Sequence, residues 1–473
     1  MAAPWDRRDR EEQARVLGLV LSRWLPQALQ TSPFWAEVAR VVGLDATTAR
    51  DLEALRRLPP VRQADVAGAG GVGGPGLLQR PTQTQVRALT DTSTLLRIAG
   101  AIRRDGREGE RRALLEEFKP LHVTRGGVGD QLAVASSRSD LDRMHRAGAR
   151  AAALLGLDDT DALVSAVPAG PRVAWWGVHH LALGASMTAL HPRGAGDALE
   201  DCVEAFRLVP VTAVAVPVEE AIALADVLGA AGAPVERVDT VLVVGPPPDT
   251  ATRTDIVAAW RAAGAGEAAL RVRALWGPSE SRVLWAECTE GVHGLHTFPD
   301  LEHLEVLDPL SAAGIAGVAD GDLTMTTVGW NGTALLRYRT GAWVDGLDPS
   351  PCPGCGRTVP RVVGEVLPEA WFPEVDDGEQ WLRLDLRGVA AELARTPGLT
   401  TWRAELRPPA RDGGADRLVL RLAGTLREDT ARDLVARVER GTGVRPAEVS
   451  ITGDATAVER EAAELGSVFA DLR

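Results

Sequence analysis

Residues Leu275-Trp276-Gly277-Pro278-Ser279-Glu280-Ser281 follow directly on an apolar run, Leu270 to Ala274, that reads as a buried strand. An indole, a glycine-proline bend, a hydroxyl and a carboxylate at this spacing suit a loop that stacks a purine and holds a phosphate-bound Mg2+ through Glu280. An ordinary strand-to-loop transition with a surface glutamate is the competing reading. The surrounding chain decides between them.

Upstream, Leu163 to Leu242 alternates short apolar strands with helical patterns: Val211 to Val216 as strand, Glu219 to Leu228 as helix, Thr240 to Val244 as strand. That is the alternation of an α/β domain whose sheet is covered by helices. Nearer the N-terminus, Val16, Leu17, Val20, Trp24 and Leu25 fall at helical spacing within Glu11 to Leu29. A glycine-dense break, Ala67 to Gly76, precedes an arginine-rich helical stretch ending near Lys119. Ser139 and Asp142 have capping-box spacing and predict a helix running to Leu155.

Downstream the pattern changes to strands, Leu304 to Leu307, Leu323 to Val328 and Ala334 to Tyr338. Beyond about Gly364 a compact α+β unit is expected. Its strands are Trp381 to Leu386, Thr401 to Leu406, Arg417 to Leu422 and Glu448 to Thr452, with helices Val389 to Arg395 and Asp429 to Arg440. A chain of 473 residues exceeds what one core holds. The expected division is a large α/β domain over 1–363 and a small α+β domain over 364–473.

Two more segments carry chemistry. In Thr124-Arg125-Gly126-Gly127-Val128-Gly129-Asp130 the glycines let backbone amides approach an anion, and Thr124 adds a hydroxyl. It lacks the Gly-Lys-Ser/Thr ending of a Walker loop, and taken alone it reads better as a glycine hairpin between two strands. Leu336-Arg337-Tyr338-Arg339-Thr340-Gly341 holds the single tyrosine, and Arg339 has the planar fork that grips phosphate or carboxylate. An edge strand with solvated arginines is the alternative.

Taken in order, these three motifs resemble those of the phenylacetate–coenzyme A ligase branch of the adenylate-forming enzymes. The resemblance extends to Ser32-Pro33-Phe34-Trp35 with Leu55, Leu58 and Pro59, and to Val244-Gly245-Pro246-Pro247 at the adenine-contacting turn. Gly294-Leu295-His296, Asp320-Gly321-Asp322-Leu323-Thr324 and the terminal α+β unit also match, so nearly the whole chain is covered. The resemblance implies an adenylate-forming ligase fold with a mobile small domain. It implies that Thr124, Gly126, Gly127 and Gly129 cradle phosphates. Gly245, Pro246 and Pro247 would flank adenine with Trp276, Gly277 and Ser279, while Glu280 holds Mg2+ and Arg339 faces the phosphate. Trp175-Trp176-Gly177-Val178-His179-His180 lies where that family builds its acyl pocket, so Trp175, Trp176 and His179 form an aromatic wall suited to a flat acid. Core packing, with the histidines at a helix start, is the alternative for that segment.

The chain also departs from the family. Asp130 stands where the loop usually ends in lysine, Ala342 where a ribose-binding aspartate belongs, and Gly364-Glu365-Val366 replaces the hinge motif. Asp345, a little farther on, is a substitute candidate for the ribose. Of 52 basic residues every one except Lys119 is arginine, so the small domain has no catalytic lysine. Losing such a charge-stabilising group typically costs about 3–4 kcal/mol in the transition state. Lys119, just before the phosphate loop, is the one lysine able to compensate.

Cys352-Pro353-Gly354-Cys355-Gly356 is a knuckle that turns backbone amides toward thiolates and suits tetrahedral Zn2+. The family resemblance supplies Cys288 and His296 as the other two ligands, with His293 and Cys202 in reserve. Two reduced turn cysteines without metal are the alternative.

The composition narrows the remaining classes. A net charge of −13 disfavours a nucleic-acid binder, and no apolar run reaches a membrane span. Four cysteines and a charged N-terminus without a signal core point to a cytoplasmic protein. The leading expectation is ATP-dependent activation of a small aromatic carboxylate as its AMP ester, with transfer to coenzyme A. The partners are then a carboxylate and a nucleotide, with neither nucleic acid nor membrane, and a homodimer is a candidate assembly. The rival expectations are a catalytically degenerate protein that binds nucleotide or acyl-AMP, and an adenylyl transferase acting on a phenol or amine.

Overall fold

A computed structural model describes residues 5–68, 75–82, 84–85, 92–116, 118–126, 132–194, 196–266, 270–308, 320–368, 372–376, 381–410, 415–458 and 469–471. The chain divides into two compact units, Met1–Val366 and Leu367–Arg473.

The first unit opens with α1 (Arg10–Thr31), α2 (Pro33–Val41), α3 (Leu52–Arg56) and α4 (Gln63–Gly68). Asp9 caps α1 by accepting from the Glu12 N–H at 2.7 Å, and Leu21, Trp24, Leu25 and Leu29 bury one stripe of it. α5 (Thr92–Glu116) bends at Gly106 (φ +60°) and leads to the hairpin β1 (His122–Gly126) and β2 (Leu132–Ser136). The glycine string therefore joins two antiparallel strands.

α6 (Arg138–Leu155) starts one turn-fraction earlier than its sequence suggests. The capping box is Ser137 with Asp140, in place of the expected Ser139 with Asp142. Asp140 also accepts from the Asn331 and Gly332 N–H groups at 2.9 and 2.8 Å, which is why a fully buried carboxylate occupies that position.

Four crossover connections build the parallel half of the sheet. They run β3 (Ala162–Ser165), α7 (Val173–Ala185), β4 (Thr188–Leu190), α8 (Cys202–Leu208), β5 (Ala213–Pro217), α9 (Ala221–Ala230), β6 (Thr240–Val244), α10 (Thr250–Ala262) and β7 (Arg271–Trp276). Strands covered on both faces read as unbroken apolar runs, and β3 and β6 are buried at every residue. The sheet continues with β8 (Trp285–Cys288), β9 (Gly291–His296), β10 (Glu302–Leu307), β11 (Gly321–Thr327), β12 (Tyr338–Asp348) and β13 (Arg361–Pro368). Its order is β10-β11-β12-β13-β9-β8-β7-β6-β5-β3-β4, parallel from β4 to β7 and antiparallel from β7 through β8 and β9 to β13 and between β10, β11 and β12.

The expected strand Ala334–Tyr338 is mostly irregular, and β12 begins only at Tyr338. Arg337 takes a left-handed φ of +45°, and its N–H donates to the Thr326 hydroxyl at 2.9 Å instead of extending a ladder.

The second unit has β14 (Glu374–Asp376) paired with β15 (Trp381–Arg383), then α11 (Leu386–Ala394), β16 (Leu399–Arg407), β17 (Arg417–Gly424), α12 (Glu428–Thr442), β18 (Glu448–Thr452) and β19 (Phe469–Asp471). Its main sheet runs β18-β17-β16-β19. Leu406, Leu420 and Leu422 of that sheet share a core with Leu434 and Val438 of α12.

Candidate functional site

In an open α/β sheet, ligands bind at the carboxyl ends of parallel strands. β6 and β7 are parallel neighbours, with Val244 opposite Leu275, so Gly245-Pro246-Pro247 and Trp276-Gly277 leave the sheet side by side. The Gly245 N–H donates to the Leu275 carbonyl at 3.0 Å and fastens the two turns together. Pro246 is exposed and Pro247 half-buried. Trp276 is half-buried, with its ring edge-on to Trp285 at 5.3 Å. The turn beyond it is tied by the Ser281 N–H donating to the Pro278 carbonyl at 2.9 Å.

The hairpin lies directly on this turn. A Cβ on Gly126 would sit 2.8 Å from the Ser279 carbonyl carbon and oxygen, so the two backbones touch where only glycine fits. The phosphate-loop candidate and the Trp276–Ser281 segment are thus brought together. Thr124 is fully buried and donates its hydroxyl to the Val134 carbonyl at 3.3 Å, across the hairpin. Alternation along β1 turns this side chain inward. Gly127 and Gly129 lie outside the described residues.

Glu280 is buried. Its carboxyl accepts from the Tyr338 hydroxyl at 2.8 Å and from the Ser279 hydroxyl at 3.0 Å. Burial raises its pKa, with the Tyr338 hydrogen bond opposing the shift. Glu280 therefore locks the second and third motifs together. Among the described residues no cluster of three or more acidic or imidazole ligands gathers around it. The donor set suits Mg2+ only as an ion carried largely by phosphate and water.

The third motif is clamped to the N-terminal helices. Arg337 pairs with Glu305 at 3.2 Å and donates to the Arg56 and Leu58 carbonyls. Val61 exchanges backbone hydrogen bonds with Arg337 and Arg339. Arg339, expected to face a phosphate, forms an ion pair with Asp322. Asp322 lies on the neighbouring strand β11, a partner that spacing along the chain does not reveal. Lys119 is exposed ahead of β1. The Asp345 carboxylate accepts from the Glu365 N–H at 2.7 Å, so it serves the chain's own backbone.

Trp175, Trp176 and His179 pack against one another. Trp175 stacks on His179 at 5.2 Å with rings 7° from parallel, and stands edge-on to Trp176 at 4.7 Å. His122 of β1 reaches Trp176 at 4.0 Å, and His191, just past β4, lies 5.2 Å from Trp175. The histidine pair sits in the body of α7 and not at its start. A Cβ on Gly177 would strike Leu284, which places α7 against the segment that follows Glu280. Half of the eight histidines, His122, His179, His180 and His191, share this cluster. The sequence signal for His122 and His191 was their rarity alone.

Cys288, His296, Cys352 and Cys355 converge with all four ligand atoms within 4.8 Å of one another. The Cys288 and Cys352 sulfurs are 3.9 Å apart, and Cys355 Sγ lies 3.3 Å from His296 Nε2. A tetrahedral ion with Zn–S of about 2.3 Å requires S···S of about 3.8 Å, so the set fits Zn2+. The Ala286 carbonyl lies 3.3 Å from His296 Nδ1 and aims Nε2 at the knuckle. Burial pushes the Cys288 thiol up to about 12. Cys202 is buried in α8, apart from this group, and His293 lies beside it without joining.

No protein-family model and no curated protein matches the chain. Among solved structures it is similar to 2-hydroxyisobutyryl-CoA ligase. The open conformation of that enzyme, in complex with 2-HIB-AMP and CoA, matches with a TM-score of 0.68 at 17% identity, over 94% of this chain and 89% of that one. The postadenylation state of the same ligase, in complex with 2-HIB-AMP, gives 0.65 at 17% identity, over 97% and 93%. Its structural neighbours are acyl-CoA ligases of the adenylate-forming superfamily, and the chain has the adenylate-forming ligase fold.

Proposed function

We propose that this protein activates a small aromatic carboxylate with ATP, forming an acyl-AMP that is then transferred to coenzyme A. The observation that carries the reading is the convergence, at the carboxyl ends of β6 and β7, of the Gly245–Pro247 turn, Trp276 and the β1–β2 hairpin. The likeness in fold to a ligase solved with an acyl-AMP and CoA supports it. On this reading the indole of Trp276 and the Gly245–Pro247 backbone flank adenine, and the glycine string that begins at Gly126 serves the phosphates. Glu280 fixes the Ser279 and Tyr338 hydroxyls near the reacting phosphate. Mg2+, when bound, neutralises phosphate charge. Trp175, Trp176 and His179 wall the acid. Cys288, His296, Cys352 and Cys355 hold a structural Zn2+ that ties the knuckle to β8 and β9.

A second reading is favoured by one observation. Arg339, the cation expected at the phosphate, is paired with Asp322. In that reading the protein binds a nucleotide or acyl-AMP without making one. Acid-dependent release of pyrophosphate from ATP, assayed across a panel of aryl acids, separates the two. Release with at least one acid supports the ligase; nucleotide binding without release supports the second reading.

A further inference from the structure

A cavity of about 290 Å³ opens between the first half of α1 and the edge strand β10, and its walls include no residue of the turns that leave β6 and β7. That volume is at the small end of ligand sites, about 300–1,000 Å³. The walls are mainly apolar, with Leu17, Leu304, Leu347, Pro349 and Pro360 among them. Two deeply buried polar side chains interrupt them, Glu302 at 3% exposed and Gln13 at 6%. Each has one end engaged by the protein and one end left over. Glu302 Oε1 accepts from Trp285 Nε1 and from the Phe298 N–H. Gln13 Nε2 donates to the Arg8 carbonyl at 3.1 Å and to the Thr358 hydroxyl at 2.9 Å. Among the described residues nothing bonds to Glu302 Oε2 or to Gln13 Oε1. Buried polar atoms are seldom left so, and here both belong to side chains that line one cavity.

The chemistry of the missing partner follows from these two oxygens. An amide oxygen only accepts, and so does an ionised carboxylate, so the partner must donate. Burial raises the Glu302 pKa to about 8, with Asp300 adding to the shift and Arg150 opposing it. Arg150 is already committed to Asp6 and Asp300, at 3.0 and 2.8 Å. Arg10 is exposed at the rim and His303 is the next residue of β10, yet neither is among the groups that act on this carboxyl. The charged groups that act on His303 are Glu305, Arg56 and Arg337. Empty, the site therefore holds a neutral carboxyl with no cation of its own. A ligand ammonium brings N–H donors for both oxygens and the charge that lets Glu302 ionise. An alcohol can bridge the same two groups, but without charge-assisted bonds, which are about twice as strong. A carboxylate would face two acceptors in an apolar setting.

We propose that this cavity binds a small hydrophobic primary amine, whose ammonium donates to Glu302 Oε2 and Gln13 Oε1 while its apolar body lies against Leu17, Leu304 and Leu347. It is a second ligand site, and it stands whether or not the protein makes an acyl-AMP. On binding, the Glu302 carboxyl gives its proton to solvent and the ammonium keeps its own.

Calorimetric titration of the full-length protein at pH 7 tests this, with benzylammonium as the probe and benzyl alcohol and benzoate as controls of similar size. Benzylammonium should bind saturably at about one site per chain, about tenfold or more tighter than either control. Repeating the titration in buffers of different ionisation enthalpy should show release of about one proton per amine bound. Glu302→Gln should weaken the binding about tenfold or more and abolish the proton release. Ala14→Trp fills the cavity from an exposed position of α1, so it should abolish binding with little change in thermal midpoint, which guards against a variant that merely misfolds. No saturable binding of benzylammonium, equal affinity for benzyl alcohol, binding without proton release, or binding that survives both substitutions would each overturn the proposal.

Discussion

Glu302 sits in β10 only 3% exposed, accepting from Trp285 Nε1 and from the Phe298 N–H. Burial raises its pKa from 4.5 to about 8, against the Trp285 hydrogen bond. Between those values the folded protein keeps a proton that the unfolded chain releases. The contribution to stability is therefore full below pH 4.5 and is lost as pH rises through about 8. Glu302→Gln keeps an acceptor for Trp285 and removes the titration, so the decline in urea midpoint from pH 5 to pH 8 should be shallower than in wild type. Equal declines would contradict the assignment. At this scale the sequence told residue type but not partner. Glu280 was legible as a candidate from its neighbours Trp276 and Gly277, whereas its hydrogen bond to Tyr338 and the Arg339–Asp322 pair depend on strands brought together only by the fold.

Among the elements, the parallel strands were the most readable, because burial on both faces leaves an apolar run such as Val241 to Val244. Two misreadings share a cause. Ser137 and Asp140 outcompete Ser139 and Asp142 as the cap of α6 because Asp140 also binds the Asn331–Gly332 backbone. Arg337 interrupts an apparent strand because its guanidinium is drawn to Glu305 and to the carbonyls ending α3. In both cases a tertiary hydrogen bond overrides a local pattern. Ser137→Ala should cost about 1 kcal/mol, as for a helix cap alone. Asp140→Ala should cost more, by about 1–3 kcal/mol for each stranded N–H. Equilibrium urea unfolding ranks the pair, and equal losses would mean that the contacts to residues 331 and 332 contribute nothing. The cysteine knuckle was readable as a motif, and its four ligand atoms lie within 4.8 Å. Elemental analysis of the purified protein should find about one zinc per chain. Cys352→Ser should lower that occupancy and the thermal midpoint; full occupancy in the variant would refute the ligand set.

For the whole molecule, the order of motifs along the chain foreshadowed the fold, whose backbone likeness to 2-hydroxyisobutyryl-CoA ligase spans nearly all of both chains. Fold and activity are separate questions, because function resides in the site and not in the scaffold. Here the fold is shared, while Arg339 is paired with Asp322 and Lys119 is exposed. The central claim is that the turns leaving β6 and β7 form a mononucleotide site beside Trp276. Calorimetric titration of the full-length protein with ATP and with AMP, repeated on Trp276→Ala, tests it most directly. The account predicts saturable binding at about one site per chain, weakened about tenfold or more when the indole is removed, in line with stacking worth about 1–3 kcal/mol per base. Absence of binding by either nucleotide, or equal affinity in wild type and Trp276→Ala, would contradict it.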